Sequence, residues 1–339
     1  MDCTVVPADD LSREHRALWS DFLRLNTQWD APAFHPEFVC GLARYFPDCK
    51  VAILHRGSNI VGYLPFRQLG QRMAGAIPMC DYQAFIGDSH NLDMREVLRL
   101  AGLRSWVFDN LLSTQIPERS TYLSTSFSLR VDLKDGLERY QSELAAAGKP
   151  GRHLLYDFRR LERNHGPVSL HHGVPDEAVL SRLLKLRAER YGLRSSPSDR
   201  VHQALAYFLR QTTGAVTGLL SVMKASDKDV AYLFSVKVND LLYHWFPTFE
   251  PQFHKYSPGI IMYWILIRDL NNLNCTKLDL GPGGEAYKEY FSNERVKVAS
   301  GRLDASAGVA VAIRFYRNLK KRVPDGVKRK IRSLHRLKV

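Results

Sequence analysis

At 339 residues the chain is too long for one ordinary core, and 45% hydrophobic with 11% aromatic residues excludes a disordered chain. The formal net charge of +13 is unevenly placed: Arg314 to Val339 holds eleven Lys or Arg against one acid, Asp325. The other 313 residues carry 37 bases and 34 acids, so the basic character belongs to a tail on a near-neutral body.

From the N-terminus, MDCTVVPADD has neither a basic n-region nor an apolar h-region, and no signal peptide is expected. Periodicity predicts helices at about Leu11–Asn26 and Pro36–Tyr45, then strands at Lys50–His55, Ile60–Phe66 and Arg72–Ile77. Arg56-Gly57-Ser58-Asn59 reads as a hairpin turn between the first two strands. A helix near Leu92–Ala101 and strands at Ser105–Phe108 and Tyr122–Asp132 complete a first half, residues 1–134.

A basic helical connector, 135–165, follows. On a helical wheel Arg152, Tyr156, Arg159 and Arg163 share one face, with Leu154, Phe158 and Leu161 opposite. The second half, 166–305, repeats the order of the first: a strand at Val168–His172, helices at Asp176–Tyr191 and Asp199–Gln211, and strands at Ala215–Lys224, Val230–Lys237 and Leu241–Phe249. Then come a helix from Pro258, a strand Thr276–Leu280, a short helix from Glu285 and a strand Val296–Leu303. Two runs of β–αα–βββ–α–β–α–β predict an α+β protein of duplicated design, each half a mostly antiparallel mixed sheet flanked by helices. Five scattered cysteines (Cys3, Cys40, Cys49, Cys80 and Cys275) form no CxxC pair, which fits a reducing cytosol and argues against a disulfide scaffold or a structural zinc site. No histidine spacing suggests a metal, and none is expected.

The most informative stretch is YSPGIIMYWILIRDLNNLNCTKLDLGPGGEAYK, Tyr256 to Lys288. Ser257 suits an N-cap and Pro258 the first helical position. The nine apolar residues Gly259–Ile267 are half of what a bilayer needs and predict a buried helix. The strand after it aims at Gly281, Gly283 and Gly284. A helix start presents free N–H groups, so a helix start beside a strand end could hold an anion.

The element order, the connector FRRLERNHG and the block FHKYSPGIIMYW…LDLGPGGEAYKEYF resemble the CelD/BcsL-type acetyltransferases of cellulose and exopolysaccharide synthesis, relatives of the FemAB-like double-GNAT proteins. The resemblance runs from about His35 to Asp304. It implies tandem GNAT folds and direct acyl transfer from acetyl-CoA or another acyl-CoA, as co-substrate, to a sugar amine or hydroxyl. It puts the coenzyme pyrophosphate on the helix start at Gly259, Ile260 and Ile261, after the cap Ser257. Lys288, near the glycine turn, could hold a phosphate or carboxylate, and its alternative is a solvated helix residue. This turn departs from the usual Arg/Gln-x-x-Gly-x-Gly/Ala loop, having one glycine and a proline that removes a donor. Two alternatives follow: an aminoacyl-tRNA-dependent FemAB-like transferase, and a catalytically silent GNAT serving as adaptor in a polysaccharide synthase complex.

Tyr287 stands where many GNATs keep a tyrosine that protonates the departing thiolate; a phenol of ordinary pKa about 10 can do so, and the bland alternative is a packing anchor. Asp279, Glu285 and His244 are candidate bases. Their alternatives are a turn cap, a first-turn acid and a satisfied core histidine. Gly281 and Gly284, with Arg152, Arg159 and Arg163, are candidates for holding the acceptor, since guanidinium forks suit phosphate.

The tail, NLKKRVPDGVKRKIRSLHRLKV within 306–339, aligns Val327, Ile331 and Leu334 on one helical face among bases. It predicts a cytoplasmic protein peripheral to the inner membrane, near an anionic leaflet or a membrane-bound glycosyltransferase. Nucleic acid is not an expected partner, except tRNA under the aminoacyl alternative.

Overall fold

Two runs of the same element types pass through the chain. The first comprises β1 (Asp2–Pro7), α1 (Arg13–Arg24), α2 (Pro36–Ala43), β2 (Cys49–Arg56), β3 (Asn59–Leu69), β4 (Met73–Gly75), β5 (Ile86–Gly87), α3 (Met94–Leu100), β6 (Ser105–Leu112) and β7 (Thr121–Asp132). Helices α4 (Leu137–Ala146) and α5 (Arg152–His165) lead into the second. That run is β8 (Val168–His172), α6 (Glu177–Arg190), α7 (Asp199–Leu209), β9 (Val216–Ala225), β10 (Lys228–Val238), β11 (Leu241–Phe249), α8 (Pro258–Asp269), β12 (Lys277–Pro282), α9 (Ala286–Phe291) and β13 (Glu294–Asp304). The computed structural model describes residues 1–88, 92–117, 120–149, 152–174, 176–190 and 199–306. The basic tail lies outside these residues from position 307 onward, as does Tyr191 at the end of one predicted helix.

Local chemistry accounts for many boundaries. Ser12 accepts from the His15 amide at 3.3 Å and starts α1, while His35 caps α2 just ahead of Pro36. The β2–β3 hairpin closes through Gly57, whose φ of +62° a β-carbon would oppose. Strands β8 and β11 keep their predicted bounds, and β1 and the two-residue β5 are additions the sequence reading lacks.

The thirteen strands among the described residues form one sheet in the order β1-β2-β3-β4-β6-β13-β7-β12-β11-β10-β9-β8, with β5 on β3. The order is palindromic: β1 corresponds to β8, β2 to β9, β3 to β10, β4 to β11 and β6 to β12. At its centre the final strands have changed sides. β13 pairs with β6 of the first half, and β7 pairs with β12 of the second. The two also pair with each other, from Glu294 opposite Arg130 to Arg302 opposite Thr121. The sequence reading gives each half its own sheet; the structure fuses them, because strand partners this distant leave no local periodic trace.

One sheet face carries α1, α2, α6 and α7 over a core drawn from both halves. It includes Trp19, Phe38, Phe208, Phe234 and Trp245, and Phe38 stacks on Phe208 at 5.0 Å. On the other face the core divides in two. Leu161, Tyr263 and Leu266 lie under α5 and α8, and Trp106, Phe108 and Leu98 under α3.

Charge sits at the central seam. Arg130 on β7 meets Asp279 on β12 at 2.9 Å, with side chains 3% and 0% exposed. Arg130 also reaches Asp30 at 3.0 Å, and Lys277 reaches the same acid at 3.3 Å. Removing one partner of such a pair strands a charge in low dielectric. Arg130→Met is therefore expected to cost about 3–5 kcal/mol, lowering the urea midpoint of a single transition shared by both halves. A variant losing under ~1 kcal/mol, or separate transitions for the two halves, would contradict this account of the seam.

Candidate active site

Strands β11 and β12 pair in parallel over Leu241–Tyr243 and Lys277–Asp279 only. Beyond these residues β11 stays with β10, while β12 turns toward β7, where Pro282 lies opposite Ser128. The result is a V-shaped opening between adjacent strands. A bulge sits at its mouth: Ser235 faces His244 and Phe234 faces Phe246, which leaves Trp245 out of the ladder.

The α8 side of the opening holds an aromatic relay. His244 is 7% exposed, and its Nδ1 shares a hydrogen bond with the Tyr263 hydroxyl. The Tyr263 ring stacks on Tyr287 at 5.2 Å and 9°. Burial first, then the neighbouring Tyr287, pushes the Tyr263 phenol well above its ordinary 10. Burial, then the positive charges of Lys288 and Arg187, holds the His244 imidazole well below 6.5 and so neutral.

The glycine turn lies beside this relay. Asp279 accepts the Gly281 amide at 2.8 Å, and Gly283 has φ +141°. A β-carbon on Gly283 would overlap the Glu285 carboxylate and come 2.9 Å from Lys288 Nζ, so only glycine fits. Lys288 is buried, donates to the Pro282 carbonyl at 2.8 Å and pairs with Glu285 at 3.1 Å. It thus straps the turn closed.

The opposite side of the opening is walled by the first half. Trp245 Nε1 donates to the Met79 carbonyl at 3.1 Å, the Tyr243 hydroxyl donates to Asp81, and the Tyr82 hydroxyl donates to Asp279 at 2.6 Å.

Tyr287, Glu285, His244 and Lys288 thus come together at the opening. Asp279 stands behind it with no exposure and four donors on its carboxylate: Tyr82, Ser128, Arg130 and the Gly281 amide. So enclosed an acid serves the seam and has no route to an acceptor. Gly281 is buried beside the Tyr243 hydroxyl, whereas Gly284 is exposed.

The start of α8 corrects the expectation of an open anion cradle. Ser257 is left-handed (φ +52°, ψ +49°) and makes no side-chain cap bond; its hydroxyl donates to Asp157 of α5 at 2.8 Å. Ile260 and Ile261 close their N–H groups on the Ser257 carbonyl at 3.0 and 3.2 Å, and Pro258 has none. The Gly259 amide remains, next to open space that a β-carbon there would enter without meeting an atom within 4 Å. On α5, Leu154 and Leu161 are buried while Arg159 and Arg163 face solvent, lining a shallow cavity of about 580 Å³ with Leu155 and Tyr156. The Arg152 side chain lies outside the described residues.

Residues 151–289 match the family model of the acetyltransferase (GNAT) domain. The match begins in the connector, runs through most of the second half and spans less than half of the chain. No curated protein matches the chain. Among solved structures, a C-terminal DUF2156 domain from Agrobacterium fabrum, named for lysylphosphatidylglycerol synthetase, is similar at 14% identity and TM-score 0.55, over 89% of this chain and 95% of that one. FemX is similar at 9% identity and TM-score 0.54, over 88% and 97%. A tandem GNAT protein from the clavulanic acid biosynthesis pathway is similar at 12% identity and TM-score 0.50, over 90% and 99%. The fold is accordingly that of tandem GNAT proteins.

Reading by residue type missed Tyr263, Tyr243, Asp81 and Arg130. A tyrosine inside the apolar run IIMYWILI was the one available signal, since a buried phenol needs a partner.

The buried imidazoles set an acid dependence. His244, His35 and His172 are each held below the ordinary 6.5, with burial the first cause in all three. Unfolding frees them to bind protons, so their stability contribution is complete above about pH 6.5 and is lost as pH falls below it. Glu250, lowered by Arg182, adds its own loss only below about pH 4.5. Urea unfolding from pH 7.5 to 5 is expected to show falling stability, with a shallower fall in His244→Gln. Equal slopes in both proteins would show that His244 is not kept neutral.

Proposed function

We propose that the chain transfers an acetyl or similar acyl group from acyl-CoA to a sugar amine or hydroxyl during exopolysaccharide, cellulose or other cell-envelope assembly. The observation that carries the transfer chemistry is the opened β11–β12 pair, with its bulge at Trp245 and the stacked Tyr263–Tyr287 pair at its mouth. A thioester lying in the V would set its carbonyl oxygen toward the bulged main chain as negative charge develops there. Tyr287 would protonate the departing sulfur, with Tyr263 and neutral His244 lined up behind it. The coenzyme's pyrophosphate would take the Gly259 amide, the one donor the α8 start keeps free of Ser257.

The acceptor class is supported by the resemblance of the Phe253–Phe291 block to the CelD/BcsL-type enzymes. The basic tail of the sequence supports a place at the cytoplasmic face of the inner membrane, with a membrane-bound glycosyltransferase as neighbour.

A second reading has one observation in its favour. Asp157 places a carboxylate beside Ser257, which counts against a pyrophosphate at this helix start and so supports a donor that puts none there, such as an aminoacyl ester in the manner of the FemAB-like proteins.

Isothermal titration with acetyl-CoA, against desulfo-CoA and ATP, separates the two. Micromolar acetyl-CoA binding that weakens at least roughly tenfold in Gly259→Trp, a loss of about 1.4 kcal/mol, is expected. Tyr287→Phe should keep that affinity and lose roughly 10²–10⁴-fold in kcat. No binding up to millimolar coenzyme would remove acyl-CoA and leave the aminoacyl donor or the catalytically silent adaptor.

A further inference from the structure

The opening between β11 and β12 has two sides, and its chemistry differs between them. Tyr263 and Tyr287 belong to the core under α8, and His244 turns to them. Tyr243 and Trp245 project the other way, into the core shared by both halves. Every acid–base candidate named from the second half except Asp279 lies toward α8 and α9, and Asp279 is sealed. On the shared side the first half places an exposed acid, Asp81, against Tyr243 of β11.

Asp81 is fixed from several directions. The Tyr243 hydroxyl donates to its carboxylate, and Tyr243 Oη in turn sits 3.3 Å from where a Gly281 β-carbon would be. On either side in sequence, Met79 is held by Trp245 and Tyr82 by Asp279. The residue keeps exposed surface while protein crowds its carboxylate. That crowding raises it above the ordinary carboxyl value, against the lowering pull of the Tyr243 hydrogen bond. The charged and titratable groups around it are Tyr243 on β11, Lys288 on α9, Asp279 on β12 and Arg187 on α6.

We propose that Asp81 is the catalytic base on the acceptor side, and that the acceptor nucleophile it serves is an amine. This rests on the acyl-CoA reading above and narrows it. An amine attacks a thioester without prior deprotonation and becomes acidic only as the new bond forms, so a carboxylate is base enough. A hydroxyl needs a stronger base in place before attack, and the imidazole here is turned to the α8 side and engaged by Tyr263. In the step, the amine nitrogen bonds to the thioester carbonyl carbon. The C–S bond breaks with its electron pair passing to sulfur, the amine proton goes to Asp81, and Tyr287 gives a proton to the thiolate. Proton exchange with water restores both residues. The first half thereby contributes a reacting group to the second half's site.

The test uses the full chain with acetyl-CoA, and glucosamine and glucose as amine and hydroxyl probes, following free thiol release and acetylated product. Wild type should acetylate glucosamine and leave glucose untouched. Asp81→Asn should bind acetyl-CoA within twofold of wild type, keep its melting temperature, and lose roughly 10²-fold or more in kcat/KM for glucosamine. Its pH profile should also lose the acidic limb, and Asp81→Glu should recover part of the rate. Equal rates in wild type and Asp81→Asn overturn the assignment, as does a wild type that binds acetyl-CoA but prefers glucose or acetylates neither probe. A wild type that binds no acetyl-CoA refutes the donor reading instead, and the Asp81 assignment falls with it.

Discussion

The buried pair of Arg130 and Asp279 is the constraint on which the arrangement of the site depends. A carboxylate with no exposure must have its charge matched and its lone pairs filled, and Asp279 draws its partners from three places. Arg130 comes from the strand that crossed over from the first half. Tyr82 comes from the segment after β4. The Gly281 amide comes from the turn Asp279 itself begins. One acid therefore fixes the strand exchange, the first half's contribution to the cleft and the shape of the glycine turn. Its value is geometric: hydrophobic residues of similar volume could stabilise as much, but they would not set these three elements relative to one another.

From that hub the two sides of the opening acquire different characters. Toward α8, packing is aromatic and dry enough to keep His244 neutral and the Tyr263 phenol protonated, which suits protonation of a leaving group. Toward the shared core, Asp81 stays in reach of water and of anything entering between the halves. With the roles proposed above, separating donor and acceptor by the sheet itself would let one site keep a proton-giving group and a proton-taking group from neutralising each other across a short hydrogen bond. Lys288, buried under the glycine turn, lies near enough to influence both His244 and Asp81.

Much of this was legible in the sequence wherever the cause was local. Strands β8 and β11 declare themselves by composition and bounding turns, and the second half's donor-side residues sit within the single stretch from His244 to Lys288. What the sequence withheld depends on distant pairing. Nothing near Arg130 announces that its strand will lie against β12, and nothing near Asp81 says it will meet Tyr243, 162 positions away. Ser257 misled for a related reason. Its identity and the following proline fit an N-cap, but Asp157 on α5 claims its hydroxyl, and the backbone turns left-handed.

The palindromic sheet makes the inequality of the halves informative. Each half has a parallel strand pair at which strands could part: Leu241–Tyr243 with Lys277–Asp279 in the second, and Met73–Ala74 with Ser105–Trp106 in the first, where a parallel bridge from Gln83 to Leu111 adds a further contact. In the first half Trp106 and Phe108 are packed into the core under α3, at 1% exposure each. The chain after β4 does not run straight into a helix as the chain after β11 does. It crosses to the second half, placing Met79, Asp81 and Tyr82 against Trp245, Tyr243 and Asp279. A duplicated site whose own opening is filled is free to give its connecting segment to its twin, and the strand exchange holds that segment within hydrogen-bond reach. On the roles proposed for Asp81 and Tyr287, the first half would supply a component of one active site that neither half could complete alone.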